Sequence, residues 1–231
     1  MSFEKEMEHI VNFAYLNSPE GKEEMNRRRE ERRIQEELER KTVSFTGHRP
    51  NKLGNCYSLA DRQSKYISSK LKPVLEELIK NDGIERFLSG GAIGFDQIAF
   101  WTVQGLKNTL HSNIKNIVAV PFKKQAIKWT DHETQHWYKK MIDVADEVIY
   151  VDELSDYKVE GVPLGDYHVA KMQKRNEYMV DKSRIIISTW DGTKGGTGNC
   201  CRYVRKVGKT LYNLKPQYDF DLDVTYGFNS C

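Results

Sequence analysis

The sequence predicts an α/β, Rossmann-like fold: a parallel sheet with helices on both faces, preceded by an N-terminal helical extension. Three observations carry this. Six short runs are rich in β-branched and apolar residues and lack a strict apolar-polar alternation, the pattern of strands buried on both faces. Amphipathic stretches of helical period lie between them. Three of the runs end directly in polar turns containing glycine, the strand-to-helix connections of such folds.

Taken in order, Phe3, Met7, Ile10, Val11 and Ala14 follow helical spacing and predict a short amphipathic helix. Residues 22–41, KEEMNRRREERRIQEELERK, carry both charge signs and only Met25, Ile34 and Leu38 as large apolar residues, so they predict a solvated helix laced by i,i+4 ion pairs. Residues 1–41 therefore form a helical arm, and its alternative use is as a partner-binding or oligomerising segment. From Thr42 the texture changes. The predicted strands are 42–45, 86–89, 116–121, 147–151, 184–189 and 210–214. One intervening helix presents Ile67, Leu71, Val74, Leu75 and Leu78, a second Ile98, Ala99, Val103 and Leu106, and a third Met172 and Met179. The domain so drawn spans 42–215, with 216–231 as a C-terminal tail.

The chain has 231 residues and a net charge of +3, from 36 Lys and Arg against 33 Asp and Glu. That balance demands no polyanionic partner such as DNA, although it permits a local phosphate site. No run of 18 apolar residues and no signal-peptide layout is present, so neither membrane insertion nor secretion is indicated and a cytoplasmic setting is expected. Cys56, Cys200, Cys201 and Cys231 lack zinc-type CxxC pairing and read as free thiols.

Ligands of doubly wound sheets bind at the carboxyl ends of the strands. There the chain places Thr46, Gly47, His48 and Arg49, then Gly90, Gly91 and Asp96, then Trp190, Asp191, Gly195, Gly196, Thr197, Gly198 and Asn199. Glycines let a backbone approach a ligand closely, and a helix N-terminus offers unpaired N–H groups, so the three turns together point to a nucleotide or sugar-phosphate pocket. Trp190, at the mouth of the last turn, is placed to stack on a base. Arg175 and Asn176 share a helical face with Met172 and Met179, and the guanidinium needs a partner: either a carboxylate such as Asp181 or Asp191, or a ligand phosphate or ribose. Asp96 reads as a helix cap or as a working carboxylate.

The stretches TGHRPNKLG, SGGAIGFDQIA, KRNEYMVDKS and WDGTKGGTGNC jointly resemble the SLOG superfamily and, within it, a small YoqJ/YpsA-like branch of bacterial and phage proteins. The resemblance implies a Rossmann-like fold and a nucleotide-related ligand. SGGAIGFDQIAF is also similar to a loop of the DNA-processing protein that handles single-stranded DNA, and MQKRNEYM with GGTGNCCR to the paired motifs of LOG-type cytokinin phosphoribohydrolases. Arg175 matches the hydrolase arginine. The hydrolase glutamate is replaced by Arg202, beside Cys201, and an arginine neither stabilises an oxocarbenium-like ribose nor activates water. Candidate catalytic residues are thus Arg175, Asp96 and Asp191, the carboxylates standing in for the missing acid. The expectation placed first is a protein that binds, senses or sequesters a nucleotide or nucleotide-derived ligand, phage-encoded and acting against host nucleotide signalling. Its alternatives are an N-glycoside hydrolase or transferase and a single-stranded DNA binder. No further cofactor is expected, and a homo-oligomer is left open.

HETQH at 132–136 satisfies HExxH, a zinc-peptidase pattern. On a helix whose packed stripe is Trp137, Met141 and Ala145, both histidines point aside, and only His168 offers itself as a third ligand. The pattern is read as coincidence and no metal is expected. Trp101, Trp129, Trp137 and Tyr138 read as packing residues.

Overall fold

The computed structural model describes residues 18–228, in two compact units divided after Glu39. The helix expected over Phe3–Ala14 lies outside the described residues. The first unit is carried by helix α1, Pro19–Arg40, which continues one residue into the second. Ser18 Oγ accepts the Gly21 N–H at 3.0 Å and so satisfies one of the unpaired donors at its start. Arg28 pairs with Glu24, Arg27 with Glu31 and Arg33 with Glu30, on side chains that are exposed except for the half-buried Glu24. Gly21 is its single buried residue, which fits the solvated helix that the charge pattern predicts.

The second unit holds a seven-stranded sheet in the order β4-β3-β2-β1-β5-β6-β7. The strands are β1 Thr42–Gly47, β2 Arg86–Ser89, β3 Lys115–Val120, β4 Glu147–Tyr150, β5 Ile185–Thr189, β6 Thr210–Lys215 and β7 Asp221–Thr225. All pairs are parallel except β6 with β7. Helices α2 Arg62–Asn81, α3 Phe95–Thr109 and α4 His132–Val144 connect the first four strands, α5 Val169–Asp181 leads into β5, and α6 Gly196–Lys206 into β6.

Alternation along the strands divides the core into two layers. Val43 and Phe45 of β1, Phe87 of β2 and Ile185 and Ile187 of β5 pack against Leu71, Leu75 and Leu78 of α2 and Ile98, Ala99 and Val103 of α3. Farther along that face, Val118 and Val120 of β3 meet Phe100 of α3 and Tyr138 and Met141 of α4. The opposite face carries Ile186 and Leu211 against Val180, Cys200, Cys201 and Val204, and Leu88, Ile117 and Ala119 against Met179. Helices thus cover both faces, α2 to α4 on one and α5 and α6 on the other. Cys56, Cys200 and Cys201 are free and buried, and burial pushes the Cys200 and Cys201 thiols up to about 11 and about 12.

The sheet continues past residue 215, where the sequence reading begins a tail: Phe220 is buried in the core and β7 pairs with β6 from Leu211↔Thr225 to Lys215↔Asp221. Its residues alternate acid with apolar on an exposed edge, a pattern that lacks the continuous apolar signal of the central strands.

Candidate functional site

β1 and β5 lie side by side, with Gly47 opposite Thr189 at their carboxyl ends. The chain leaves β1 toward α2 on one face and leaves β5 toward α6 on the other, so this is the switch point of the sheet, the place where doubly wound folds form a ligand crevice. Hydrogen bonds tie its walls together. The His48 N–H donates to Thr189 O at 3.2 Å, and Thr197 Oγ1, in the first turn of α6, donates to Gly47 O at 2.8 Å.

Where the two chain segments diverge, His48 Nε2 stands 2.7 Å from Asp191 Oδ1 and 3.1 Å from the Asp191 N, whose N–H donates to it, so both the side chain and the backbone of Asp191 hold this ring nitrogen. The Thr193 N–H and Oγ1–H also reach Asp191 Oδ1, at 3.0 and 2.5 Å. Lys52 Nζ donates to Thr193 Oγ1 at 2.5 Å and lies 3.7 Å from Asp191 Oδ2. Burial works against the ionised Asp191, but the two Thr193 hydrogen bonds and His48 outweigh it and hold this carboxyl well below the usual range. Burial also lowers the His48 pKa, with Asp191 opposing, so His48 is neutral near pH 7. Lys52 is the cation that the sequence reading missed; its signal was its place inside TGHRPNKLG, one 3-10 turn after Arg49.

The second glycine turn is closed. Arg175 Nη1 donates to Gly90 O, which also accepts from Gln125 Nε2 at 3.2 Å, and Arg175 Nε donates to Asn176 Oδ1 at 3.0 Å. Asp96 Oδ2 lies 3.9 Å from Arg175 Nη1 and accepts the Ala92 N–H at 3.3 Å. Asp96, Gln125 and Arg175 are all buried. Burial pushes the Asp96 carboxyl upward, and Arg175 and Arg49 pull it back only in part. The expected capping role of Asp96 is not realised, because Gly94 is the N-cap of α3 and the Asp96 carboxylate turns into the loop instead. Gly94, at φ +103°, brings the loop so near β1 that a Cβ there would lie 2.5 Å from His48 O. Arg49 stays exposed, with Nη1 3.4 Å from Ile93 O.

The glycines divide by what stands beside them. A Cβ on Gly47 would collide with Phe95 and Thr189, one on Gly90 with Arg175 and Asp96, one on Gly91 with Met141, and one on Gly198 with Thr193 O. Those glycines serve packing. Gly195 and Gly196 instead face open space, and Gly195 adopts φ +143° as the N-cap of α6. The first helix bond runs from Asn199 N to Gly195 O at 2.8 Å, so the N–H groups of Gly196, Thr197 and Gly198 have no partner within the helix.

Trp190 sits differently from the stacking position that the sequence suggested. It is 9% exposed, its Nε1 donates to Thr193 O at 2.8 Å, and Arg205 covers its ring at 5.4 Å. Asn213 of β6, unmarked in the sequence reading, fixes the same turn: its Oδ1 accepts from Ser188 Oγ and Trp190 N, and its Nδ2 donates to Trp190 O. A polar residue inside an otherwise buried strand was its signal.

A second buried pair also escaped the sequence reading. Lys171 Nζ lies 2.9 Å from Asp152 Oδ2 and 2.6 Å from Pro163 O, and Asp152 Oδ2 accepts the Gly165 N–H at 2.8 Å. This pair fastens the segment between β4 and α5 to the sheet's carboxyl rim. The histidines of HETQH are exposed on α4, whose buried residues are Thr134, Tyr138 and Met141, and His168 Nδ1 accepts the Ala170 N–H at the start of α5. Among the described residues no group of three His, Cys, Asp or Glu is placed to hold a metal ion, and no helix is long and apolar enough to cross a membrane.

A family model described as the YspA SLOG family matches residues 43–222. The SPbeta prophage-derived protein YoqJ of Bacillus subtilis (strain 168) is 49% identical over 162 residues, covering 69% of this chain and 94% of that protein. A UPF0398 protein of Halalkalibacterium halodurans is 29% identical over 182 residues, 79% of this chain and 87% of its own, and one of Shouchella clausii is 25% identical over 159 residues, 68% and 76%.

Proposed function

This chain belongs to the YspA SLOG family, and on that premise we propose that it binds a phosphate-bearing nucleotide in the crevice between β1 and β5. One observation carries the reading: Gly195 and Gly196 leave the first turn of α6 open to solvent, where N–H groups unpaired in the helix and the positive end of its dipole favour an anion. Lys52, held by Thr193 and Asp191 on the facing side, supplies a nearby cation, and Arg49 a second. The His48, Asp191 and Thr193 network positions the turn and leaves the contact with phosphate to backbone N–H groups. Asp96 and Arg175, engaged with each other and with the loop, act in this reading by shaping the crevice.

Binding without hydrolysis is supported by Arg202 at the place of the hydrolase glutamate and by the engagement of both nearby carboxylates, Asp96 and Asp191, with the protein itself. The prophage origin of the 49% identical relative supports sequestration of a host nucleotide signal as its use. The test is thermal unfolding against adenosine, AMP, ADP and ATP and their guanine counterparts. A nucleotide at 100 times its Kd adds about 2.7 kcal/mol, which raises the Tm of a chain of this size by roughly 5–10 °C. Phosphorylated members should do this and bare nucleosides should not. No shift from any member at millimolar concentration overturns the reading.

A further inference from the structure

The two oxygens of the Asp191 carboxylate are used unequally. Oδ1 accepts the Thr193 N–H and Oγ1–H, at 3.0 and 2.5 Å, and meets His48 Nε2 at 2.7 Å. Oδ2 receives no hydrogen bond from the described residues, and Lys52 Nζ, 3.7 Å away, balances its charge from beyond hydrogen-bond distance. The Asp191 side chain is 25% exposed against 7% for His48, and with three groups crowding Oδ1 that exposure falls on the Oδ2 side. The carboxylate is also close to the open turn. Thr193 N and Gly196 N are three residues apart, a span of at most about 11 Å even in extended chain. The loop between them is folded back instead: Thr193 O lies so near the first turn of α6 that a Cβ on Gly198 would stand 2.5 Å from it.

We propose that Asp191 Oδ2 accepts a hydrogen bond from a ribose hydroxyl of the nucleotide whose phosphate sits on the α6 turn, so that the protein selects ribonucleotides over their deoxy counterparts. The inference rests on the binding reading above and adds the class of sugar. An ionised carboxylate beside the turn repels phosphate oxygens, so the part of the ligand that faces it carries donors. In a nucleotide the donors that follow the phosphate within a few bonds are the sugar hydroxyls, and the base stands farther off. Oδ1 is already engaged, so the turn keeps its shape while Oδ2 serves the ligand. Lys52 offsets the charge that would otherwise oppose the phosphate.

The experiment is isothermal titration of the full chain with whichever of AMP, ADP, ATP and their guanine counterparts raises the Tm most, and with the 2′-deoxy and 3′-deoxy forms of that nucleotide. It is repeated on Asp191→Asn and Thr193→Val. Asp191→Asn keeps one oxygen for the Thr193 bonds and turns the other into an amide donor. Thr193→Val keeps the carboxylate and removes the hydroxyl bond to Oδ1, so it loosens the turn and leaves Oδ2 in place. In the wild type at least one deoxy form should bind about tenfold more weakly than the ribonucleotide or worse, the size of one hydrogen bond to a charged acceptor. That ratio should fall below twofold in Asp191→Asn. It should persist in Thr193→Val, whose looser turn weakens ribose and deoxyribose forms alike. Deoxy forms that match the ribonucleotide in the wild type overturn the sugar inference and leave the binding reading standing, as does a ratio that survives in Asp191→Asn or vanishes in Thr193→Val. Failure of the wild type to bind any of the six parent nucleotides overturns both.

Discussion

Arg175→Met removes the charge from the closed second turn while keeping an unbranched apolar side chain in its place. The variant leaves the buried Asp96 carboxylate, 3.9 Å from the Arg175 guanidinium in the wild type, with only the exposed Arg49 as a more distant cation, and it takes from Gly90 O one of two donors. Removing one partner of a buried ion pair costs about 3–5 kcal/mol. The lower end applies here, because 3.9 Å is an ion-pair distance rather than a hydrogen bond and Gln125 Nε2 still serves Gly90 O. We therefore expect a loss of about 3 kcal/mol at pH 7. Urea unfolding followed by the fluorescence of the four tryptophans measures it. Adding Asp96→Asn removes the stranded charge, so the double variant should recover about 1 kcal/mol or more relative to Arg175→Met alone. The pH dependence has a fixed sign. In Arg175→Met the folded-state pKa of Asp96 lies above its unfolded value, so acidification toward that raised pKa protonates the folded state first and the deficit shrinks. A loss below about 1 kcal/mol, or no recovery on adding Asp96→Asn, refutes the view that the two residues are coupled through burial.

Lys171→Met strands Asp152 in the same way and should cost about 3–5 kcal/mol, with the segment between β4 and α5 becoming the first site of limited proteolysis; an unaltered cleavage pattern contradicts the fastening role. Burial keeps the folded-state pKa of His48 below the unfolded value of about 6.5, so on acidification the unfolded chain takes up this proton first and stability falls from that pH down to the folded pKa. Asp191, with its depressed pKa, adds a second loss below the ordinary carboxylate range. His48→Gln should remove the limb that begins near pH 6.5 and keep the more acidic one, and denaturation curves from pH 8 to 2 read both.

The strands that read most plainly in the sequence, β1, β2 and β5, are buried on both faces, so apolar and small hydroxyl residues follow one another without a solvent-facing charged alternation. β7 was missed because DLDVT lies at an edge, where acidic residues alternate with apolar ones. On α5 the expected stripe through Met172 and Met179 is displaced to Lys171, Arg175 and Met179. Lys171 carried no signal of burial, and Arg175, expected to pair with Asp181, Asp191 or a ligand, meets Asp96 instead, because the partners of both arrive from distant parts of the chain. The same limit applies to the site. A glycine in sequence is an absent side chain, and whether a neighbour or a ligand fills its place depends on contacts such as Phe95 beside Gly47 or Arg175 beside Gly90. That the three glycine turns follow strand ends was legible. Which of the three stands open was not.

That open turn is tested most directly by Gly196→Asp. Gly196 lies outside the left-handed region and nothing stands within 4 Å of a Cβ there, so the substitution strains no backbone and meets no neighbour. An aspartate in the first turn of α6 favours the helix by about 0.3–1 kcal/mol through the dipole, yet it places a negative charge where the phosphate is proposed to sit. Isothermal titration of the tightest-binding nucleotide from the thermal panel, with unfolding measured in parallel, separates the two effects. The account predicts a Tm equal to or above that of the wild type together with an affinity at least tenfold lower. Wild-type affinity in Gly196→Asp contradicts it.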